Sequence, residues 1–423
     1  MSSATVPPPP RTAPAPPSVL AGWDAAHRGT AVLGIVLLGA QIRLPMNLSA
    51  GFLVAAALLP VWLPALWRSV GGRALMITGV LGVVAGLVLT VQERGSLPAA
   101  VPVTINVVGL LCGIGLLVWS RTLMSAGVIG LWFGVGLVVD IANGGALFES
   151  NPWRFGFSIP VTVVVLAVAH ILGKRLLEVV LLLVLAGVAA VTDARSGFVI
   201  LLATAILVAW QARPVPVRSR SSTAATLIGV TVLLSLMYLL GEALFLGGAL
   251  GEETAERSRA QVEASGSLIF GGRPELAATT ALLDHQLQGF GSGTKPGPAD
   301  VLAAKEGMAS VGYDPDNGYV ERYMFGSGFE LHSVFGDLWA HFGIMGLVLA
   351  AVVLAITMGG LARGVAGRSA SALIIYLTAK TVWNVLFSPL YSSIPLLILT
   401  LGLLVLLPGA VPDRVRAPAG ATP

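Results

Sequence analysis

Long apolar stretches alternate with short polar connections along most of the chain. We count twelve stretches, at residues 30–47, 49–66, 74–92, 98–119, 122–142, 157–172, 176–192, 197–211, 222–246, 341–361, 371–390 and 393–409. Most approach the roughly 20 residues that a helix needs to cross a hydrocarbon core about 30 Å thick. A helix also satisfies its own backbone polar groups, which lipid cannot do. The pattern predicts an all-α fold, a polytopic transmembrane helix bundle of about 12 spans.

Composition narrows the class of protein further. Of the 423 residues, 55% are hydrophobic and only 11% are charged, against roughly 25% charged in soluble proteins. A water-soluble fold is therefore excluded. The formal net charge of +4 is small, and we expect membrane lipid, not nucleic acid, around this chain.

The basic residues of the short connections predict the orientation of the bundle. Alternating the connections between two sides places fourteen on one side: Arg11, Arg28, Arg68, Arg73, Arg121, Lys174, Arg175, Arg213, Arg218, Arg220, Arg363, Arg368, Arg414 and Arg416. The short connections of the other side carry Arg43, Arg94, Arg154 and Arg195. Because Lys and Arg in short connections favour the cytoplasm, we expect both termini to be cytoplasmic.

The connections also divide the chain into segments. We expect a disordered, proline-rich cytoplasmic tail at 1–22, spans 1 to 9 within 23–246, a large extracytoplasmic loop at 247–340, spans 10 to 12 within 341–410, and a cytoplasmic tail at 411–423. The proline-rich tail has too little apolar surface to offset the entropy cost of ordering it.

The large loop differs from every other connection. Together with Glu242 it holds fourteen of the 21 acidic residues and six basic ones. Helical spacing of apolar residues predicts an amphipathic helix over 275–290, which Pro274 opens and Gly289 ends, and a second short helix over 299–308. The acidic run at 314–318 lacks the spacing of a calcium loop and predicts a turn instead of a metal site. Chemistry outside the membrane should be sought in this loop.

Two arginines on the outer side are candidate anion ligands. Arg195 lies between two closely linked spans, where an arginine normally has an anionic partner. The position of Arg195 is explained equally well by an ion pair with Asp193 or by a side chain that extends to the membrane interface. Arg273 precedes the helix of the loop, whose free N–H groups and positive dipole end favour an anion; a solvated surface charge is the alternative. Together, two arginines could grip phosphate oxygens.

His332 and Lys380 are candidates of a different kind. His332 lies where the loop returns to the tenth span, and its ordinary pKa near 6.5 suits a base that takes a proton from a hydroxyl. A hydrogen-bonded packing histidine is the alternative. Lys380 falls midway along the eleventh span, where an ionisable group is a functional candidate. A buried pair of Lys380 with Asp140 or Asp193 would explain it as well.

Short motifs in these regions carry a family resemblance. They run in the order Thr192-Asp-Ala-Arg-Ser-Gly197, Ser265-Gly-Ser-Leu-Ile-Phe-Gly-Gly-Arg273, Gly289-Phe-Gly-Ser-Gly293, and His332-Ser333 followed by Phe342-Gly-Ile-Met-Gly346. The order of these motifs, and the side of the membrane on which we expect them, resemble the O-antigen ligase and O-antigen polymerase superfamily of C-type glycosyltransferases. The resemblance covers about residues 150 to 400. The chain departs from that pattern where Ser333 replaces the usual Asn, where His341 replaces a common acid, and where Asp193 replaces the common serine-like context of the first arginine.

The resemblance implies a function and a set of roles. It implies a membrane glycosyltransferase, a polyprenyl-pyrophosphate-glycan ligase that transfers a glycan from its lipid carrier to a hydroxyl of a cell-envelope acceptor. Arg195 and Arg273 would bind the pyrophosphate, and His332 would orient or deprotonate the acceptor hydroxyl. Lys380 and Asp193 are possible secondary residues. The anomeric configuration should invert, and no metal and no cofactor are expected.

The same resemblance implies partners and a location. The donor would be a polyprenyl-pyrophosphate-linked glycan, and the acceptor a glycan, a glycolipid or a protein. The site would lie on the extracytoplasmic face of a bacterial cytoplasmic (inner) membrane. A polysaccharide polymerase that extends the lipid-linked glycan is the alternative enzyme. A transporter or flippase for polysaccharide or lipid is the alternative from another class, although we see no pair of repeated halves.

Overall fold

The computed structural model describes residues 19–144, 146–213 and 273–406, with a few isolated positions between 228 and 263. The ninth apolar stretch, the first part of the large loop and both terminal tails fall largely outside the described residues. Within the three described ranges the regular structure is helical, apart from one isolated β-bridge between Arg43 and Ser49. The expected all-α fold is therefore confirmed for this part of the chain.

Fifteen α-helices form the described structure. In chain order they are α1 (Val19–Ala40), α2 (Ala50–Ala57), α3 (Leu59–Trp67), α4 (Val70–Gln92), α5 (Leu97–Ser120), α6 (Ala126–Asp140), α7 (Ala146–Ser150), α8 (Ser158–Leu172), α9 (Arg175–Val191), α10 (Arg195–Ala212), α11 (Pro274–His285), α12 (Pro298–Ser310), α13 (Val334–Ala366), α14 (Ala372–Phe387) and α15 (Leu390–Leu404). A π-helical turn at Trp153–Phe157 leads into α8, and another at Tyr319–Met324 lies between α12 and α13.

Part of the set is long and apolar enough to cross a membrane. Five helical segments pass that test: α4, α5, α8 with its π-helical turn, α10 and α13. The pair α2 and α3 makes a sixth if it counts as one span, although it bends by 74°. Three more apolar helices, α6, α14 and α15, are shorter. The described chain is thus a helical membrane protein of five or six full-length spans, and the expectation of twelve stays a prediction.

Helix α5 lies at the centre of the bundle. From Asn106 to Ser120, every residue except Val108 is buried. Its glycines let neighbouring helices approach closely, because they place no side chain at the contact. A Cβ at Gly109 would collide with the Phe52 ring, and one at Gly115 with the Trp62 ring. These small positions let α2 and α3 pack directly against the α5 backbone.

Three boundaries differ from the expectation. Helix α1 begins at Val19, inside the segment expected to be disordered, because an apolar run follows the last proline of the tail. The loop helix α11 ends at His285 and not at 290, since the chain then turns into the bundle. Helix α13 begins at Val334, seven residues before the predicted span. The expected boundary at 340 therefore falls within a helix, which bends at Gly343.

Polar contacts sort the connections into two ends of the bundle. At one end they join Arg121 to the carbonyl of Val405, Arg175 to that of Ala370, and Arg368 to that of Arg213. At the other, which we call the loop end, they join Ser96 to Gly293, Asn151 to Thr192, and Leu390 to Asp337. Each of these contacts joins two connections that strict alternation along the sequence places on the same side. Which end faces the cytoplasm stays a prediction.

The large loop packs on the loop end around a small core of its own. Helices α11 and α12 pack against each other, and their buried side chains include Leu282 and Met308. The core also includes Phe290, Phe329 and Trp339, with the Phe290 and Phe329 rings stacked at 4.1 Å between centroids. Because Trp339 belongs to α13, this small core of the loop attaches the loop to the bundle.

Candidate active site

His332 lies in the connection between the π-helical turn and α13. Its φ of +52° is left-handed, a conformation that a non-glycine residue adopts only when its surroundings impose it. The half-buried imidazole packs beside two aromatic rings, those of Tyr319 and Tyr323, each 5.4 Å away between centroids, and these two rings stack on each other. Its Nδ1 atom is 3.5 Å from the carbonyl oxygen of Glu330. The side chain is therefore held in a defined place on the loop end.

Two polar groups secure the backbone on either side of His332. The buried carboxylate of Asp337 accepts hydrogen bonds from the backbone N–H groups of Leu331 and Leu390, both at 2.7 Å. Ser333 caps α13, since its hydroxyl accepts a bond from the Gly336 N–H at 2.9 Å. Asn, the residue that the resemblance leads one to expect at this position, is also a strong N-cap. The replacement by Ser keeps the helix start that positions His332.

Glu275 connects this site to the first turn of α11. The hydroxyl of Tyr319 donates to Glu275 Oε1 at 2.5 Å. The other carboxylate oxygen, Oε2, is buried and has no hydrogen-bond partner among the described residues. A buried acceptor without a donor is costly, so this oxygen is suited to receive a bond from a hydroxyl of a ligand.

Arg273 lies at the start of α11 and reaches across to α14. Its guanidinium lies over the rings of Trp383 and Phe387, with the Cζ atom 5.7 and 5.8 Å from the ring centroids. Such distances are typical of cation–π contacts. Lys380 lies one turn before Trp383 on the same helix, and its side chain lies within electrostatic range of Arg273. Arg273 thus contacts the last turns of α14, at the loop end, whereas Lys380 lies at the middle of that helix.

The electrostatics favour a neutral imidazole. Burial is the main cause that lowers the pKa of His332 below its ordinary value, and the charge of Arg273 lowers it further. The carboxylate of Glu275 and the carbonyl of Glu330 act in the opposite direction. Burial, and then the carboxylate of Glu275, raise the pKa of Tyr319, so this phenol stays protonated and donates. Near neutral pH, His332 can therefore accept a proton.

Arg195 and Asp193 lie in a separate contact at the start of α10. The Nε of Arg195 donates to Asp193 Oδ1 at 3.1 Å, and Arg154 approaches the other carboxylate oxygen at 3.9 Å. The ion pair with Asp193, one of the three interpretations of Arg195 that the sequence left open, is thus present. Helix α10 packs against α14. Arg213 at its far end contacts Arg368, which precedes α14, so the two helices are antiparallel. Arg195 consequently lies at the loop end, as Phe387 does.

The glycine-rich motif from Gly289 to Gly293 packs against the helix bundle. It inserts between α4 and α13, where the N–H groups of Phe290 and Gly291 donate to the carbonyl of Ala340 at 2.8 and 3.0 Å. The motif contacts α13 at Gly343, where that helix bends. A Cβ at Gly343 would collide with the Gln288 carbonyl. The motif therefore attaches the loop to the bundle and does not end the loop helix.

Sequence reasoning missed Glu275, Tyr319 and Tyr323. Glu275 resembled an ordinary acid of a first helical turn, which the helix dipole favours in any case. The two tyrosines lie four residues apart shortly before His332, and the chain has only six tyrosines. That spacing places both rings on one face of a helical turn, which was the available signal.

Within the described ranges, no group of three His, Cys, Asp or Glu side chains could hold a metal ion. The expectation of a metal-independent reaction stays a prediction. Comparison with known proteins found no matching family model, no matching curated protein and no matching solved structure.

Proposed function

We propose that this protein is a membrane glycosyltransferase that moves a glycan from a polyprenyl-pyrophosphate carrier to a hydroxyl of a cell-envelope acceptor. The observation that carries the proposal is the arrangement of Arg273, Glu275 and His332 at one end of a membrane helix bundle, with Lys380 within electrostatic range of Arg273. Two neighbouring cations suit a pyrophosphate, and a neutral histidine suits a hydroxyl. The family resemblance of the motifs supports the same reaction.

The cations supply the anion site in this proposal. Arg273 lies within electrostatic range of Lys380, and a pyrophosphate that reaches both side chains would gain two charge-assisted contacts. Each such contact contributes about 1.5 to 3 kcal/mol. As the glycosidic bond breaks, negative charge grows on the leaving oxygen, and the same cations stabilise it. Arg195 would join them by exchanging its bond to Asp193 for one to phosphate.

The histidine and the carboxylate act on the acceptor. The acceptor oxygen attacks the anomeric carbon from the face opposite the pyrophosphate, and the bond from that carbon to the phosphate oxygen breaks. The pyrophosphate departs with the electron pair, and the hydroxyl proton passes to the imidazole of His332. Glu275 Oε2, unpaired in the described structure, accepts a hydrogen bond from the acceptor sugar and holds it in line. The anomeric configuration inverts, and no metal takes part.

The proposal includes the orientation. With the loop end on the extracytoplasmic face of a bacterial cytoplasmic membrane, the fourteen basic residues of the short connections face the cytoplasm, as such residues prefer. A lipid-linked donor suits that face, because it brings its own leaving group. The twelve-span layout, with both termini cytoplasmic, belongs to the same proposal.

The test is glycan transfer by the purified protein in lipid nanodiscs supplied with a polyprenyl-pyrophosphate glycan and a mixture of envelope acceptors. We expect His332→Ala to lower the rate by about 100-fold or more and Arg273→Ala to lower it comparably. His285→Ala and Arg94→Ala, which change the same residue types elsewhere on the loop end, should keep the rate of the unmodified protein. Full activity of the His332 and Arg273 variants would refute the assigned roles.

The product separates the ligase from the polymerase. A glycan released from its carrier onto the acceptor indicates ligation, whereas a longer glycan that is still lipid-linked indicates polymerisation. Flux of the lipid-linked glycan across sealed vesicles, without a new glycosidic bond, would instead favour a transporter and contradict the proposal.

A further inference from the structure

A cavity opens at the loop end, and its lining does not include Arg273 or Lys380. Its volume is about 160 Å³, and its lining includes Gln41, Arg43, Asn47, Phe52, Asn106 and Tyr391. The chain from Gln41 to Ser49 forms one wall, helix α5 forms the floor, and the start of α15 forms another wall. The cavity is therefore built from three separate parts of the chain.

Asn106 is the unusual member of this lining. Only 6% of the residue is exposed, and its carbonyl oxygen Oδ1 has no hydrogen-bond partner among the described residues. It lies on α5 about 14 Å from the start of the helix at 1.5 Å per residue, among residues that are otherwise mainly apolar. A buried amide oxygen that lacks a donor is costly to keep, and a ligand hydroxyl in the cavity would supply that donor.

The other lining groups match a sugar. Amides, a phenol and an aromatic face are the groups that bind hydroxyls and the apolar face of a ring. A cavity of about 150 Å³ in another protein accommodates benzene, so 160 Å³ suits one six-membered ring. Arg43 adds a positive charge, and its guanidinium has no acidic partner among the described residues.

The cavity adjoins the candidate active site. Tyr391 follows Leu390, and His332 follows Leu331. The N–H groups of Leu331 and Leu390 bind the two oxygens of one carboxylate, that of Asp337. A wall of the cavity and the segment that carries His332 are thus held against the same side chain.

We propose that this cavity binds one pyranose ring of the glycan, at a subsite next to the reacting end, and that Arg43 gives it a preference for an acidic sugar. Asn106 accepts a hydrogen bond from a ring hydroxyl, Phe52 and Tyr391 contact the ring, and Arg43 pairs with a carboxylate substituent. That the ring belongs to a glycan rests on the proposed function, whereas the binding of a sugar here can be tested without any transfer.

The test is saturation-transfer NMR on the full-length protein in phosphatidylcholine nanodiscs. The probes are methyl β-D-glucoside and methyl β-D-glucuronide, which differ by one carboxylate. We expect both to bind and the glucuronide to bind at least fivefold more tightly. Arg43→Gln should reduce that preference to less than twofold, and Asn106→Leu should weaken both probes at least tenfold. Arg94→Gln, which removes an exposed charge elsewhere on the loop end, should change neither.

Further variants keep the result interpretable. Tyr391→Ala alters an exposed wall residue, and it should weaken both probes at least fivefold even if Asn106→Leu does not fold. His332→Ala should bind both probes normally, so loss of glycan transfer and loss of sugar binding are separate outcomes.

Any of three results would overturn the inference. The first is that neither probe binds to the unmodified protein. The second is that binding survives the Asn106 and Tyr391 substitutions. The third is retention of phosphatidylglycerol by the unmodified protein in native mass spectrometry, lost in Arg43→Gln, without binding of either glycoside. That third result would assign the cavity to a lipid headgroup.

Discussion

The hydroxyl of Tyr319 donates a hydrogen bond of 2.5 Å to Oε1 of Glu275. This bond joins the π-helical turn before His332 to the first turn of α11, which follows Arg273. It also leaves Glu275 Oε2 as the carboxylate oxygen without a partner among the described residues. The contact therefore determines how the acidic, basic and imidazole groups of the site are placed relative to one another.

Removing that hydroxyl should disturb the site without disturbing the fold. Tyr319→Phe keeps the ring beside His332 but lets the Glu275 carboxylate turn. We expect the transfer rate to fall by about tenfold or more, because a small misplacement of a positioning group slows catalysis in other enzymes. Tyr313→Phe, which alters another tyrosine of the loop, is the control. A Tyr319→Phe protein that transfers glycan at the original rate would show that the bond does not position the site.

The pH dependence of transfer should report the charge of Glu275. His332 must be neutral to accept a proton, so the rate should fall as the pH drops below its pKa. Burial lowers that pKa, which places the fall below about pH 6.5, the ordinary value. Because the Glu275 carboxylate partly opposes this lowering, Glu275→Gln should move the fall to a still lower pH.

The measurement is kcat/KM against pH for both proteins. Asp284→Asn, which removes an exposed carboxylate from the same helix, should leave the profile in place. A shift to higher pH in Glu275→Gln would contradict the assigned electrostatics.

Asp337 should be critical for stability. Both of its carboxylate oxygens accept backbone N–H bonds, and Asn would place an NH₂ group against one of those donors. We expect Asp337→Asn to lower the free energy of unfolding by about 1 to 3 kcal/mol, measured by thermal unfolding in detergent. Asp316→Asn, at an exposed position, should change it by less than about 0.5 kcal/mol. Equal stability of the two variants would rule out this role of Asp337.

The bend of α13 should require glycine. Gly343 has φ +60° and ψ −145°, and a Cβ there would collide with the Gln288 carbonyl. We expect Gly343→Ala to reduce the yield of folded protein in size-exclusion chromatography, because the glycine-rich motif could no longer insert. Gly187→Ala is the matched control, since Gly187 lies within a helix and a Cβ there has no neighbour within 4 Å. Normal folding of both variants would disprove the requirement.

The apolar stretches of the sequence determined much of the fold. Eleven of the twelve stretches have helical counterparts in the described ranges, and the twelfth, 222–246, lies outside them. The helix at 299–308 was predicted as well, and it spans Pro298–Ser310. The positions of these helices depend on local hydrophobicity and on the residues that begin and end a helix. They can therefore be predicted from residues that are close together in the sequence.

The sequence also singled out Arg273, His332 and Lys380 by residue type and position, but it could not bring them together. Arg273 reaches Trp383 because α11 starts against the loop end of α14, and this brings it within electrostatic range of Lys380. Arg195 was an equally good candidate by type, and only the structure showed its bond to Asp193. Contacts between residues far apart in the chain depend on how whole helices pack, which no local pattern encodes.

What the sequence alone determined was therefore a helical membrane protein with its unusual polar residues in and around one large loop. Tertiary structure decided which of those residues meet, that Glu275 and Tyr319 join them, and that the chain bends at Gly343 to let the loop enter the bundle. The physical reason is that burial preference is a property of each segment, whereas a site is a property of the packing between segments.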